Sequence, residues 1–288
     1  MSSIEQAPSQ AGNLYLGLTY EYSSVSDFVT GTHELNDNVR SQRIHSGLLE
    51  VSYGLTNRFT LTGVVSLLQQ ERRTSANDFL RTRGIGDAVL LVKYSLLPYN
   101  VFSKRQVSIG GGVKAPLGDA QLTSDGGIPV SPDLWPGTGA WDGIIWGAVS
   151  QGFGSAGKWN LYANATYRFT GASDRTSAGD GRYRFGNEFV GSLGVSRLHN
   201  DWLGYRLGLR YRSSTPDEFN GVAQPNFGGK WLNLVPGVSV KASDLWSFRA
   251  SGQIPLYRDV KGTQYTTTYS IALTIGYTLS RARSALGF

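Results

Sequence analysis

Hydrophobic and polar positions alternate with a period of two along almost the whole chain. The pattern is cleanest at 265–279, where Tyr265, Tyr269, Ile271, Leu273, Ile275, Tyr277 and Leu279 are interleaved with Thr266, Thr268, Ser270, Ala272, Thr274, Gly276 and Thr278. Successive side chains of a strand point to opposite faces, so this segment predicts a β-strand with one apolar and one wet face. Its apolar face begins and ends in tyrosine, as in a strand that crosses a bilayer between two aromatic belts.

Eleven other segments repeat the pattern. The first, 13–24, sets Leu14, Leu16, Leu18, Tyr20 and Tyr22 against Tyr15, Gly17, Thr19, Glu21 and Ser23. A polar loop over 25–39 leads to 40–54, with Glu50 on its wet face, and 59–72 follows. After a loop near 73–82, Ala88, Leu90, Val92 and Tyr94 alternate with Lys93, and strand 105–116 carries Lys114 on its wet face. Pro129, Pro132 and Pro136 mark 117–139 as a long loop, because proline cannot donate to a central ladder. Segment 140–153 alternates poorly. Segments 158–171, 181–196, 202–214, 230–241 and 245–258 then lead to the closing strand.

Twelve strands with alternately long and tight connections predict an all-β fold, a transmembrane antiparallel up-and-down β-barrel in one domain over 13–288. Residues 1–12 form a flexible lead-in. Bacterial barrels have even strand numbers, short periplasmic turns and long external loops, so both termini fall on the periplasmic side. The external girdle expected from this arrangement comprises Tyr20, Tyr22, Tyr167, Phe169, Phe185, Tyr211 and Tyr269; Tyr53, Phe59, Tyr94, Trp159, Tyr205, Trp246 and Tyr277 form the periplasmic one.

Composition agrees with a barrel. Only 17% of the 288 residues are charged, 12% are aromatic and mean hydropathy is −0.22, because lipid-facing residues are diluted by lumen-facing ones. No run approaches the roughly 20 apolar residues of a transmembrane helix. The chain has no cysteine, which removes disulfide and thiolate chemistry. Its start lacks the basic and apolar regions of a signal peptide, so an exported protein would be represented here in mature form. The net charge of +6 comes from basic residues scattered singly along strands, a distribution that argues against nucleic acid as a partner.

The wet faces supply the candidate pore lining: Lys93, Lys114, Arg168, Arg184, Arg206, Arg210, Arg212, Lys241 and Arg249, with Glu21, Glu50 and Glu188. A narrow bore with excess cations focuses a positive potential and favours anions. The alternative is that these charges pair across strands and fill the interior. Within loop 117–139, Asp125, Asp133 and Trp135 are candidates for a constriction folded into the bore. The aspartates there lack the spacing of a calcium loop, so no metal or cofactor is expected.

Several stretches resemble the outer-membrane transporters grouped as the MetA-pathway phenol-degradation family. These are YGLTNRFTLTG (53–63), RGIGDAVLLVKYSLL (83–97), VSIGGGVKAPLGD (107–119), WPGTGAWDGIIWGAVSQGFG (135–154) and VPGVSVKASDLWSFRASGQIPLYRD (235–259). The residues that match are Gly86, Asp87, Lys93, Tyr94, Lys114, Pro116, Gly118, Gly137, Thr138 and Gly139. The resemblance implies an outer-membrane barrel that passes hydrophobic or aromatic compounds.

Other motifs carry less. Gly152–Gly157 fits GxGxxG, but an alternating strand follows it where a nucleotide site needs a helix. His45 and Ser46 are adjacent in a strand and face opposite ways, so they cannot act together in a hydrolase, and no enzyme activity is expected. The reading is therefore a passive small-molecule channel in the outer membrane of a Gram-negative bacterium, in contact with lipid and solute. The alternative is a non-transporting barrel that holds or sheathes a partner protein, and a homo-oligomer fits either role.

Overall fold

In a computed structural model, residues 11–36, 40–74, 79–98, 104–122, 129–154, 158–174 and 181–280 are described. Twelve antiparallel strands form the wall. They are β1 (Leu14–Val25), β2 (Ser41–Gly54), β3 (Phe59–Arg73), β4 (Phe79–Ile85 and Ala88–Leu97), β5 (Arg105–Ala115) and β6 (Asp142–Phe153). The wall continues through β7 (Trp159–Phe169), β8 (Glu188–Leu198), β9 (Leu203–Ser214), β10 (Gly229–Lys241), β11 (Trp246–Thr266) and β12 (Tyr269–Leu279). Each strand pairs with its neighbours in sequence, and β12 pairs with β1 to close the ring. Closure leaves no strand edge, which is the condition for a sheet in hydrocarbon, where no water can satisfy unpaired N–H and C=O groups.

The strands at the seam run longer than their alternation suggested. Residues 25–39 are not simply a polar loop. Asp27–Gly31 continues β1 and turns back into His33–Leu35. On the other side β11 reverses at Lys261–Gly262, where Gly262 adopts a φ of +70°. Its last residues therefore run with β12. One antiparallel register holds from Leu14 opposite Leu279 to Thr30 opposite Thr263. The closing strand thus extends a little beyond Tyr265.

The expected faces are present. Leu18, Leu49, Leu67, Leu90, Ile109, Ile145, Leu193 and Leu273 are exposed on the outside, while Ser52, Thr60, Thr62, Ser95 and Ser108 are buried on the inside. At the short-turn end the outer face carries Phe59 against Tyr94 and Trp246 against Tyr277, with ring centroids 4.8 and 4.9 Å apart. At the other end it carries Tyr20, Phe169 and Tyr269. An apolar belt between two aromatic girdles is a surface that a bilayer covers. Phe185 does not join the outer girdle. It packs inside against Trp135, with centroids 6.0 Å apart.

Two further departures concern connections. Strand β8 begins at Glu188, not near 181, because residues 183–184 leave the wall. They join a small four-stranded sheet at the loop end: Ala172–Ser173, Tyr183–Arg184, Glu218–Phe219 and Val222–Ala223. Strand β4 begins at Phe79, and the break at Gly86–Asp87 lets both its halves pair with β3. The poor alternation of β6 also has a cause. Ile144 and Trp146 are buried on the inner face opposite exposed Ile145 and Val149, so both faces are apolar.

Candidate functional site in the barrel lumen

The loop-end half of the lumen is filled by residues 116–122 and 129–141, which lie between β5 and β6 in sequence. Their Ala120, Val130, Leu134 and Trp135 form a buried apolar cluster with Tyr183, against which Leu80 of β4 and Phe185 also pack. Thr82 of β4 donates to the Leu134 carbonyl at 2.8 Å, Trp135 donates its indole N–H to the Val130 carbonyl at 2.9 Å, and Arg72 of β3 ion-pairs with Asp133. The two arms of the segment meet at Gly118 and Gly137. A Cβ on either would lie about 2.4–2.6 Å from the other's backbone, so only glycine permits the approach.

A polar latch fixes the base of this segment. The β4 break turns the Asp87 carboxylate inward, where it accepts from the Thr138 backbone N–H at 3.0 Å and the Gly118 N–H at 3.1 Å. Lys114 Nζ lies 2.5 Å from Asp87 and 3.2 Å from Asp142, and it donates to the Ala140 carbonyl at 3.1 Å. All three charged side chains are almost fully buried. Such a group holds together only when every charge has partners, since an unpaired buried ion costs several kcal/mol. Arg168 approaches Asp142 at 3.9 Å from the next strand.

Above the wall, in the small loop-end sheet, Tyr183 donates its hydroxyl to Asp217 at 2.6 Å, and the Gly186 N–H donates to the same carboxylate at 2.8 Å. Burial raises the pKa of Asp217 above the usual carboxylate range, outweighing those two hydrogen bonds. The Tyr183 phenol is raised as well, by burial first and then by its bond to Asp217.

The short-turn half differs. Among the described residues, three cavities lie along it. A central one of about 210 Å³ is lined in part by Glu21, Glu50, Arg206, Arg210 and Arg249. A second of about 180 Å³ carries Lys93 and Arg206, and a third of about 280 Å³ carries Lys158, Arg197, Arg206 and Arg249. The last two include no carboxylate, and Arg206 borders all three. Its guanidinium lies 4.4 Å from the centroid of the Tyr162 ring, a cation–π contact. Tyr162 has room because β8 and β9 present Gly194 and Gly208. A Cβ there would meet the Tyr162 hydroxyl at 2.4 and 2.5 Å.

The wet-face residues of the sequence fall in several places. Glu21, Glu50, Arg206, Arg210 and Arg249 share the central cavity, while Lys93 and Lys114 are buried on β4 and β5. Arg212 pairs with Glu188 at 2.7 Å, and Arg210 donates to Gln253 at 3.2 Å. Arg184 leaves the wall and faces Glu218 at 3.6 Å in the small sheet. Lys241 ends its strand and binds Asp244 at 2.9 Å in the turn. Asp133 and Trp135 lie in the folded-in segment, and Asp125 falls outside the described residues. Alternation alone did not single out Tyr162, Trp146 or Asp142. Tyr162 sits in a wet-face position of β7, between Asn160 and Asn164, and that was the available signal.

No protein-family model matches the chain, and no curated protein matches it in sequence. Solved structures do match in fold. The crystal structure of an outer membrane channel from Pseudomonas putida F1 superposes with a TM-score of 0.78 at 15% identity, covering 93% of this chain and 96% of that one. The chain therefore has the fold of that barrel. The NanC porin gives a TM-score of 0.48 at 12% identity over 92% of this chain and all of the porin. The β-domain of the Bordetella autotransporter BrkA gives 0.49 at 12% identity over 94% of this chain and all of that domain.

Proposed function

We propose that the chain is an outer-membrane channel that passes small solutes passively and prefers anions. The loop end faces outward and both termini face the periplasm, as the short turns suggest. The observation that carries the reading is the clustering of cations along the open half of the lumen. Arg206 borders all three cavities, and two of them hold cations with no carboxylate. In a low-dielectric bore such a surplus focuses a positive potential and attracts anions. The motif resemblance to the MetA-pathway phenol-degradation family adds aromatic or hydrophobic compounds to the solute class. An aromatic carboxylate satisfies both.

A second reading is favoured by the packed loop-end half: a closed barrel that holds a partner protein. Liposome swelling with solutes of graded size decides between them. The channel reading expects swelling with small solutes that fades as size grows. No swelling at any size, together with a stable co-purifying protein, overturns it.

A further inference from the structure

The outer face of the wall is not uniform at the loop end. On β2, β3 and β4 the apolar belt ends with exposed Leu49, Leu67 and Ile85. Beyond these residues the same face carries Arg43, Arg73, Arg81 and Arg83. Their neighbours Gln42 and Thr82 are buried on the lumen side, as strand alternation requires. Cross-strand register gathers the four arginines. Arg43 lies opposite Glu71, which lies opposite Arg81; Arg83 is one row nearer the belt, opposite Gln69, and Arg73 one row further, opposite Phe79. Glu71 pairs with Arg81 at 2.6 Å, and the Arg73 guanidinium lies 5.6 Å from the centroid of the Phe79 ring. Arg43 and Arg83 are exposed, and neither is ion-paired among the described residues. The aromatic girdle runs into this patch: the Tyr20 hydroxyl is 2.8 Å from His45 Nδ1, one row below Arg43 on the same strand. At the same end, β7, β8 and β9 carry Phe169, Phe189 and Tyr211 on their outer faces. A cation on a lipid-facing strand is costly at the bilayer midplane and cheap near the interface, so the patch sits at headgroup depth.

We propose that this patch binds the phosphate-bearing headgroup of a glycolipid in the external leaflet. A guanidinium fork takes phosphate oxygens two at a time. Arg43 and Arg83 are two strands and one row apart, roughly 12 Å. That separation suits two phosphates on one sugar headgroup, whereas a phospholipid with a single phosphate engages one fork at a time. The Glu71–Arg81 pair between them fixes the middle of the patch and limits its charge. Leu49, Leu67 and Ile85 lie where the acyl chains of the same lipid descend. The proposal rests on the reading that the loop end faces outward, because orientation decides which leaflet meets the patch.

The test is native mass spectrometry of the full-length barrel in detergent, titrated with diphosphoryl lipid A, its dephosphorylated form and phosphatidylglycerol. Diphosphoryl lipid A binds saturably. Each arginine near an anionic headgroup is worth about fivefold, so phosphatidylglycerol binds about fivefold or more weaker and the dephosphorylated form about twentyfold or more weaker. Arg43→Gln and Arg83→Gln each weaken lipid A binding about fivefold. Glu71→Gln releases Arg81 and tightens it. Arg105→Gln, on the outer face at the short-turn end, leaves it unchanged. All four side chains lie on the surface of the wall, and retained heat-modifiable migration shows that each variant is folded. Equal binding of the three lipids, or unchanged affinity in folded Arg43 and Arg83 variants, overturns the patch. Orientation is read separately, because the chain has no cysteine. An impermeant maleimide on intact cells labels Val222→Cys at the loop end and spares Asp201→Cys in a short turn. The reverse labelling overturns the outward orientation and with it the proposal, whatever binds in detergent. Labelling as expected without selective lipid A binding overturns the patch and leaves the orientation standing.

Discussion

The two halves of the lumen solve the same problem in opposite ways. Both place charged side chains in a narrow interior. In the loop-end half the charges are matched, with Lys114 between Asp87 and Asp142, Arg212 on Glu188 and Arg72 on Asp133. The space around them is filled by Leu134, Trp135 and Tyr183. In the short-turn half cations outnumber carboxylates and the space stays open. Pairing and filling therefore go together, and so do surplus and cavity. On the proposed channel reading, the loop-end half supplies shape and anchoring, and the short-turn half supplies the solute chemistry.

The largest effect is expected from breaking the latch. Lys114→Met leaves Asp87 and Asp142 facing each other without their shared cation. Removing one partner of a buried ion pair costs about 3–5 kcal/mol. The variant should unfold at clearly lower denaturant, and protease should cut within 116–141 while the wall survives. Equal stability of variant and wild type would contradict a structural latch.

Leu134→Ala comes next. Leu134 is fully buried in the apolar cluster, and truncation of such a leucine costs about 2–5 kcal/mol. Loosening of the folded-in segment should raise single-channel conductance with little change in ion preference. A large change in preference would show that the two halves are not separable.

Gly208→Ala tests the other half. Its new Cβ would meet the Tyr162 hydroxyl at 2.5 Å, and overpacking of this kind costs about 1–3 kcal/mol. The ring must move with Arg206 above it, so conductance should change while the loop-end segment keeps its protease resistance. An unaltered conductance would mean that Tyr162 does not shape the passage.

How much of this was legible in the sequence follows from which forces act where. The wall was legible because lipid outside and water inside impose a strict period of two, as in Leu14–Tyr22 and Tyr265–Leu279. Even so, the extensions Asp27–Gly31 and His33–Leu35 rise beyond the belt, where nothing enforces apolar alternation, and their polar residues read as loop. Strand β6 was obscured because its inner residues Ile144 and Trp146 pack against Leu91 instead of water. Phe185 and Arg184 were misplaced for a related reason. Residues 183–185 still alternate, but they do so in the small loop-end sheet and the cluster beneath it. Wet-face cations could be found, whereas their partners depended on register across strands and on the fold of segment 116–141.

The smallest effect concerns that loop-end sheet. The Asp217 carboxyl is raised by burial, so its stabilising contribution is present in acid, below the ordinary carboxylate pKa, and is lost as pH rises through the raised value. Limited proteolysis of 170–187 and 215–228 should therefore be slower in mild acid than at neutral pH. Asp217→Asn keeps a partner for the Tyr183 hydroxyl and should flatten the dependence. A wild-type rate that does not change with pH would contradict this.

The most direct test of the central claim is the reversal potential of single channels in a potassium chloride gradient. A channel governed by Arg206, Arg210 and Arg249 gives a potential of the sign set by chloride, and that potential shrinks when Arg206, Arg210 and Arg249 are all changed to glutamine. A potential set by potassium, or a barrel that carries no current, would contradict the account.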